Sequence, residues 1–423
     1  MKKTKALSGI IDIFDEIDRI NEDELEKLEL DSKFIASLNE NALYIVEERE
    51  IGKIMHSIES VLLTIIFAII ANCNKFTEIY AFMIKHHKWL EKYIKYENGL
   101  PSIATIKRVV SFINPKEMEE WCLKSIEEFK LYNKPIYKDD DIIINDIKSM
   151  DGKVCNASGR KVSKDGKIAK TNAMSIMSIK NDYCEATEFI ESKTNEIPTG
   201  LDLLKRINVE NNIITFDAMS TQIKTIDYIV SKHGYYVAPV KGNQETLEEN
   251  IKNYFADKEL YEKAKSENYM ETKEKAHSTL EKREYIFTND INWLANRNDW
   301  KGLKSIGIAK RTYQNDKGEI VTDIRYYISN LDADKIKIIS NSIREEWAIE
   351  NKLHFYLDMV FAEDDNTSFV DNTQKNLNIL RKFCLKILKF YKVKTKLSMN
   401  LTRFNISMDF DNEIKNVINT LYI

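Results

Sequence analysis

A chain of 423 residues, 43% hydrophobic and 31% charged with 12 Gly and 5 Pro, is long enough for two or three domains and excludes collagen-like, low-complexity and largely disordered readings. The formal net charge of −4 is unevenly spread: residues 1–50 hold 14 acids against 7 bases, which leaves the remainder net +3. The longest apolar run, 61–71, is about half of the roughly 20 residues a membrane span needs, so no transmembrane helix is expected.

Lys2, Lys3 and Lys5 mimic the basic start of a signal peptide, but acids from Asp12 onward break any apolar core, and an unprocessed intracellular chain is expected. Cys73, Cys122, Cys155, Cys184 and Cys384 are odd in number and form no C-x-x-C pair, so neither a disulfide framework nor a structural zinc site is signalled. Residues 21–41 read as an acidic leader, helical or loose. From 51 to 129 the chain is helical: Ile54, Ile58, Val61, Leu62, Ile65, Ile66 and Ile69 recur at spacings of three and four, the pattern of a buried helix. After the lysine- and aromatic-rich stretch 76–93, Gly99 and Pro101 punctuate and Ser102 can cap. Residues 103–112 then make a short helix with Lys107 and Arg108 opposite Ile106, Val109 and Val110. A basic helix after a turn can enter a major groove; an ordinary helical hairpin has the same pattern.

From 141 the period changes. DIIINDIKSM, 141–150, reads as a strand that stops at Asp151-Gly152-Lys153. Residues 173–179, 183–190, 212–216 and 235–240 are further β-branched or aromatic runs, with helical patterns at 200–207 and 221–233. Strands alternating with helices imply a mixed α/β layer structure. Residues 247–334 are charged and irregular, with strand-like pieces at 282–287, 305–311 and 324–328, and read as an insertion. Helical patterns resume at 343–361 and 377–390. From Asp371 to Lys396 eight Lys or Arg accompany one acid, a basic stretch suited to phosphates, with Lys382, Lys386 and Lys389 on its basic face.

Asp151 and Asp217 each follow a strand, so each carboxylate can emerge at the carboxyl edge of a sheet, where open α/β sheets gather their ligands. Glu350 lies in the helical stretch whose apolar stripe is Trp347, Leu353, Leu357 and Phe361, and Trp347 is expected in the core. An ionised acid beside such a stripe is costly unless it is paired or binds a cation. Three carboxylates without a Cys or His cluster suit Mg2+ or Mn2+ rather than zinc. Two such ions about 3.5 to 4 Å apart can drive an in-line phosphodiester displacement. Asp358 and Glu363 are candidates to stand behind the metal ligands, whereas Asp165 and Asp365 are expected in solvent.

These residues belong to an ordered series of segments: NGLPSIATIKRVVSFINP, MDGK, ITFDAMSTQ, VKGNQ, WKGLKSIG, YYISNL, REEWAIENKLHFYLDMVFAEDD and NTQKNLNILRKFCLKILK. Over about residues 51–390 the series resembles the ISAs-type, H-repeat-associated insertion-sequence transposases, members of the DDE transposases. The resemblance implies an α/β fold: an RNase H-like mixed-sheet catalytic domain with an inserted strand-containing segment, behind an N-terminal all-α domain. The implied boundaries are an acidic leader 1–50, a helical DNA-binding domain 51–135, the first part of the catalytic domain 136–246, the insertion 247–335, the final catalytic helices 336–392 and a C-terminal tail 393–423. The family's catalytic, metal-binding acids fall on Asp151, Asp217 and Glu350. Its DNA contacts fall on Lys241, Asn243 and Gln244 of VKGNQ and on Arg344, Asn351 and His354 of the last-helix motif. Lys153 or Arg160 stands where basic residues follow DGK, and His277 aligns with a His-Gly-Arg stretch.

The implied activity is metal-dependent cleavage at the element's ends and joining of the freed 3'-hydroxyl to target DNA. Double-stranded DNA is the implied partner, with self-association on it, Mg2+ or Mn2+ as cofactor, no membrane, and a cytoplasmic, nucleoid-associated location. SIAT replaces the family's S-H-D-T, VCNASGRK follows DGK, and no Arg follows the final acidic pair. These departures keep open a non-catalytic DNA-binding relic, and a metal-dependent nuclease without strand transfer is the third reading.

Overall fold

In the computed structural model, residues 33–155, 161–162, 168–169, 171–190, 196–276, 279–315, 317–365 and 370–422 are described. The leader before residue 33, Arg160, Asp165 and His277 lie outside them. The chain divides into two units, Met1–Leu131 with Val360–Ala362 and Ser368–Ile423, and Tyr132–Met359 with Glu363–Thr367.

The described part of the first unit is helical. Residues 33–41 form a helix, followed by α1 (Ile58–Ile70), α2 (Phe76–Leu90), α3 (Ile103–Phe112) and α4 (Pro115–Glu127). Each start has a chemical cause. Ser57 and Ser102 accept backbone N–H groups from Ser60 and Thr105, and Asn114 accepts from Lys116 ahead of a proline in the first turn of α4. All of α1 but Glu59 is buried, as its apolar content requires.

The second unit is mixed α/β. Beside two short two-stranded pairings, the strands of its main sheet are β1 (Asp146–Cys155), β2 (Thr171–Ser178), β3 (Tyr183–Ile190), β4 (Asn212–Phe216), β5 (Tyr235–Val240), β6 (Tyr269–Ala276), β7 (Thr279–Thr288), β8 (Ser305–Gln314) and β9 (Ile320–Ser329). They form one sheet in the order β6-β7-β8-β9-β5-β4-β1-β2-β3. β1, β4 and β5 run parallel and every other neighbouring pair is antiparallel. The stretch read as an insertion therefore continues the same sheet, with β9 pairing β5 from Tyr326↔Val240 to Ser329↔Val237.

Alternation along the strands sends residues to two cores. Ile214 and Phe216 of β4 and Tyr236 and Ala238 of β5 join one, with Leu203 of α5 (Glu196–Leu204), Ile229 of α6 (Ile223–Ser231), Ile251 of α7 (Glu245–Ala256) and Ala264 of α8 (Lys258–Glu267). Ile213 and Val237 join the other with Ile338, Ile339 and Ile343 of α9 (Ile336–Glu345). The sheet is thus covered on both faces, which leaves its strand ends as the place for a site.

Beyond α9 the helical pattern expected at 343–361 is broken. A turn at 346–347 leads into a π-helical segment, Glu350–His354, and then the short α10 (Phe355–Met359). The first unit is completed by α11 (Thr373–Thr395), α12 (Met399–Met408) and α13 (Phe410–Tyr422), so the segment read as a tail carries two helices. Within that unit the fully buried Arg403 donates to the carbonyls of Ile69 and Val360 and packs on the Phe361 ring. Among the described residues no helix is long and apolar enough to cross a membrane.

Candidate active site

Three parallel strands deliver three polar side chains to one edge of the second unit. Met150 of β1 stands opposite Phe216 of β4, and the next residue in each strand direction is Asp151 and Asp217. β4 stops there because Asp217 turns away to cap a short 3-10 turn, accepting from the Ser220 N–H at 2.9 Å. β5 ends at Val240, and Lys241 follows it. Asn243 donates to the Ala218 carbonyl at 2.7 Å and Gln244 to the Thr221 carbonyl at 3.1 Å. Their amides thus tie the loop after β5 to the loop that holds Asp217.

The π-helical segment supplies the remaining groups. His354 is 4% exposed; its Nδ1 lies 3.1 Å from Glu350 Oε2 and 3.6 Å from Asp151 Oδ2, and its Nε2 is buried without a hydrogen-bond partner. One ligand atom each from Asp151, Glu350 and His354 lies within 4.8 Å of the others. Asp217 is outside that trio but lines the same cleft of about 920 Å³, together with Asp151, Lys241, Arg325, Glu346 and Glu350.

The electrostatics are those of crowded acids. Burial pushes the Asp151 carboxyl up to about 6, opposed by His354 and the Gly152 N–H and reinforced by the charges of Asp217 and Glu350. Glu350 is held below its usual value, chiefly by its hydrogen bond with His354. Glu346, only 11% exposed, is pushed up to about 7 by burial, with Asp217 and Asp151 adding to the effect against Arg325 and Tyr327. A carboxylate cluster with one imidazole fits a divalent ion: carboxylates suit Mg2+ and Mn2+, and the added positive charge would offset the burial, and the lesser repulsion, that lift Asp151.

The structure brings Asp151, Asp217, Glu350 and Lys241 to this cleft, with the buried His354 against Asp151 and Glu350, and it corrects several expectations. Lys153 is not exposed: it is buried, 2.7 Å from Asp358 and 3.0 Å from Glu363. Lys382, Lys386 and Lys389 form no exposed basic face, because α11 packs most of its circumference within the helical unit and buries all three. Trp347 is not in the core. Six residues before Leu353, it lies about 120° from that side chain round a regular helix, and it is 45% exposed with the Arg325 guanidinium 4.8 Å over its ring.

Lys107 and Arg108 are exposed on α3, and Arg344 pairs with Glu274 at 2.5 Å. Asn351 is exposed and donates to the Trp347 carbonyl. Glu346 and Arg325 went unnoticed in the sequence; the spacing of four between Glu346 and Glu350 was the available signal. A second hollow of about 400 Å³ shares Arg325 and Trp347 with the cleft and adds Arg283, Arg311 and Arg344.

The family described as Transposase DDE domain matches residues 144–385, and the DDE_Tnp_1-associated family matches residues 44–125. The "Putative transposase YncI" of Escherichia coli O157:H7 is 30% identical over 358 residues, covering 84% of this chain and 88% of that one. The "H repeat-associated putative transposase YhhI" of Escherichia coli K12 is 31% identical over 363 residues, 85% of this chain and 92% of its own. Among solved structures, a piggyBac transposase synaptic complex with hairpin DNA aligns over 93% of this chain and 80% of that one at 11% identity and a TM-score of 0.40, a loose likeness. The chain belongs to the DDE transposases, among their H repeat-associated members.

Proposed function

We propose that this chain is a catalytically competent DNA transposase that binds the ends of its own element, cleaves there and joins the freed 3'-hydroxyl to target DNA. The observation that carries the reading is the convergence of Asp151, Asp217 and Glu350, from positions far apart in the chain, on one cleft. The sheet supports it. A run of three antiparallel strands, β3-β2-β1, continues into the parallel β4 and β5, the strand plan of an RNase H-like domain.

Asp151, Glu350 and His354 would hold a divalent ion, with Asp217 beside them in the cleft for a second. Bound there, Mg2+ or Mn2+ would stabilise the charge of a phosphodiester under in-line attack by water or a 3'-hydroxyl. Around them Lys241, exposed at the rim, presents an ammonium to a phosphate, and His354 orients Glu350 through a 3.1 Å hydrogen bond. Arg325 and the exposed Trp347 ring offer a charged, flat surface on which a nucleotide next to the cut can lie. Lys107 and Arg108 on α3 are the groups proposed to recognise element ends, and the complex is proposed to self-associate on DNA.

The test is a strand-transfer assay with labelled end DNA, target DNA and Mg2+ or Mn2+. Joined products support the reading. Cut but unjoined products point to a nuclease without strand transfer, and binding without cutting points to a DNA-binding relic.

A further inference from the structure

β1 and the helical segment that carries Glu350 meet as a ladder whose rungs repeat every second residue of the strand. Ser149 Oγ donates to the Glu346 carbonyl at 2.9 Å, Asp151 meets His354 at 3.6 Å, and Lys153 Nζ meets Asp358 Oδ1 at 2.7 Å. Residues two apart share a strand face about 6.6 Å along it, and His354 and Asp358, four apart, are about 6 Å along the helix axis, so the Asp151 and Lys153 rungs stay in step, while the Ser149 rung reaches a backbone carbonyl two turns before His354. Rotation has to match as well. In an α-helix residues eight apart end about 80° round the axis. The π-helical turn Glu350–His354, bonded i to i+5, takes back part of that rotation and keeps Glu350, His354 and Asp358 toward β1.

The Lys153 rung is the most enclosed. Lys153 is 8% exposed, and beyond Asp358 it meets Glu363 Oε2 at 3.0 Å, itself 2% exposed, and Asp364 Oδ1 at 3.9 Å. Burial works against the ammonium, but Glu363 and Asp358 outweigh it and hold Lys153 charged well above the usual lysine range. A buried cation with two carboxylate partners fixes geometry strongly, because neither side can move without stranding a charge.

We propose that Lys153 is a positioning residue for the metal centre: by pinning Asp358 and Glu363 to β1, it keeps Glu350 and His354 within reach of the ion that Asp151 binds. The proposal rests on the reading of Asp151 and Glu350 as metal ligands. It assigns Lys153 no contact with substrate or ion.

The test is calorimetric titration of MnCl2 into the metal-free full chain, for the wild type, Lys153→Met, Lys153→Arg and Asp358→Asn, with melting curves in EDTA alongside. Loss of a group that orients metal ligands commonly weakens metal binding by about 10- to 100-fold. Lys153→Met should weaken Mn2+ binding in that range at a temperature where it is folded, and Lys153→Arg should recover most of the affinity. Asp358→Asn, which removes a partner rather than the buried cation, should weaken binding in the same direction if Lys153→Met fails to fold. A merely structural lysine would lower the melting temperature and leave Mn2+ affinity within threefold of wild type, and that result overturns the proposal. Failure of the wild type itself to bind Mn2+ overturns the underlying reading of the acids, a separate outcome.

Discussion

Replacing Asp151 by Asn should make the metal-free protein more stable at alkaline pH while removing its response to metal. The carboxyl is raised from 3.8 to about 6. A carboxyl whose folded value is raised holds its proton longer in the folded than in the unfolded chain. Stability is therefore lost as pH climbs from about 4 to 6, and the loss is complete above that window. Two units correspond to roughly 3 kcal/mol, and with the side chain 34% exposed, solvent screening brings the figure to about 1–2 kcal/mol. For a unit of this size that is about 3 to 6 °C in melting temperature. Calorimetry in EDTA should show Asp151→Asn melting above wild type at pH 8 by this margin, with the gap closing near pH 4. Adding Mn2+ should raise the wild-type melt and leave the variant's unchanged. A variant that melts with or below wild type at pH 8, or a gap that stays the same at pH 4, would refute the account of a strained acid cluster.

Glu346→Gln should flatten the fall in stability that wild type shows between about pH 4.5 and 7, since the buried carboxyl is raised from 4.5 to about 7; melting temperature against pH reads this directly. Lys107→Ala with Arg108→Ala should reduce the preference for end DNA over random DNA by about 1–3 kcal/mol per lost base contact in binding titrations, because both side chains are exposed on α3. Lys386→Ala should instead cost stability, about 1–3 kcal/mol, by removing a buried stem whose ammonium lies 4.0 Å over the Phe390 ring. The salt dependence of DNA binding by that variant should match wild type.

The strands that carry the acids were legible because their signal is local. A β-branched run followed at once by Asp gives both the element and the direction in which the carboxylate leaves it, and 183–190, 212–216 and 235–240 are strands with the bounds the pattern indicates. What failed was information held by neighbours. The lysines of α11 look like a solvated basic face until the other helices of the unit are packed round them. Lys153 follows an exposed glycine in a turn-like tripeptide, yet the strand continues through it and the inward alternation places it among acids. Trp347 lies about 120° from Leu353 round a regular helix, so it never shared that stripe, and the π-helical turn at 350–354 has no proline or glycine to announce it. Strands 279–288, 305–314 and 320–329 were partly visible as pieces, but their membership in the main sheet rests on the pairing of β9 with β5, which no local pattern encodes.

The central claim is that one cleft gathers acids to hold divalent metal for phosphodiester chemistry, and diffraction at the manganese absorption edge from crystals grown with Mn2+ tests it most directly. The account predicts an anomalous peak in the cleft with carboxylate oxygens of Asp151 and Glu350 within about 2.5 Å of it, and Asp217 bound to the same ion or to a second one beside it. Manganese bound only elsewhere on the molecule, with these three side chains turned away from any peak, would contradict it.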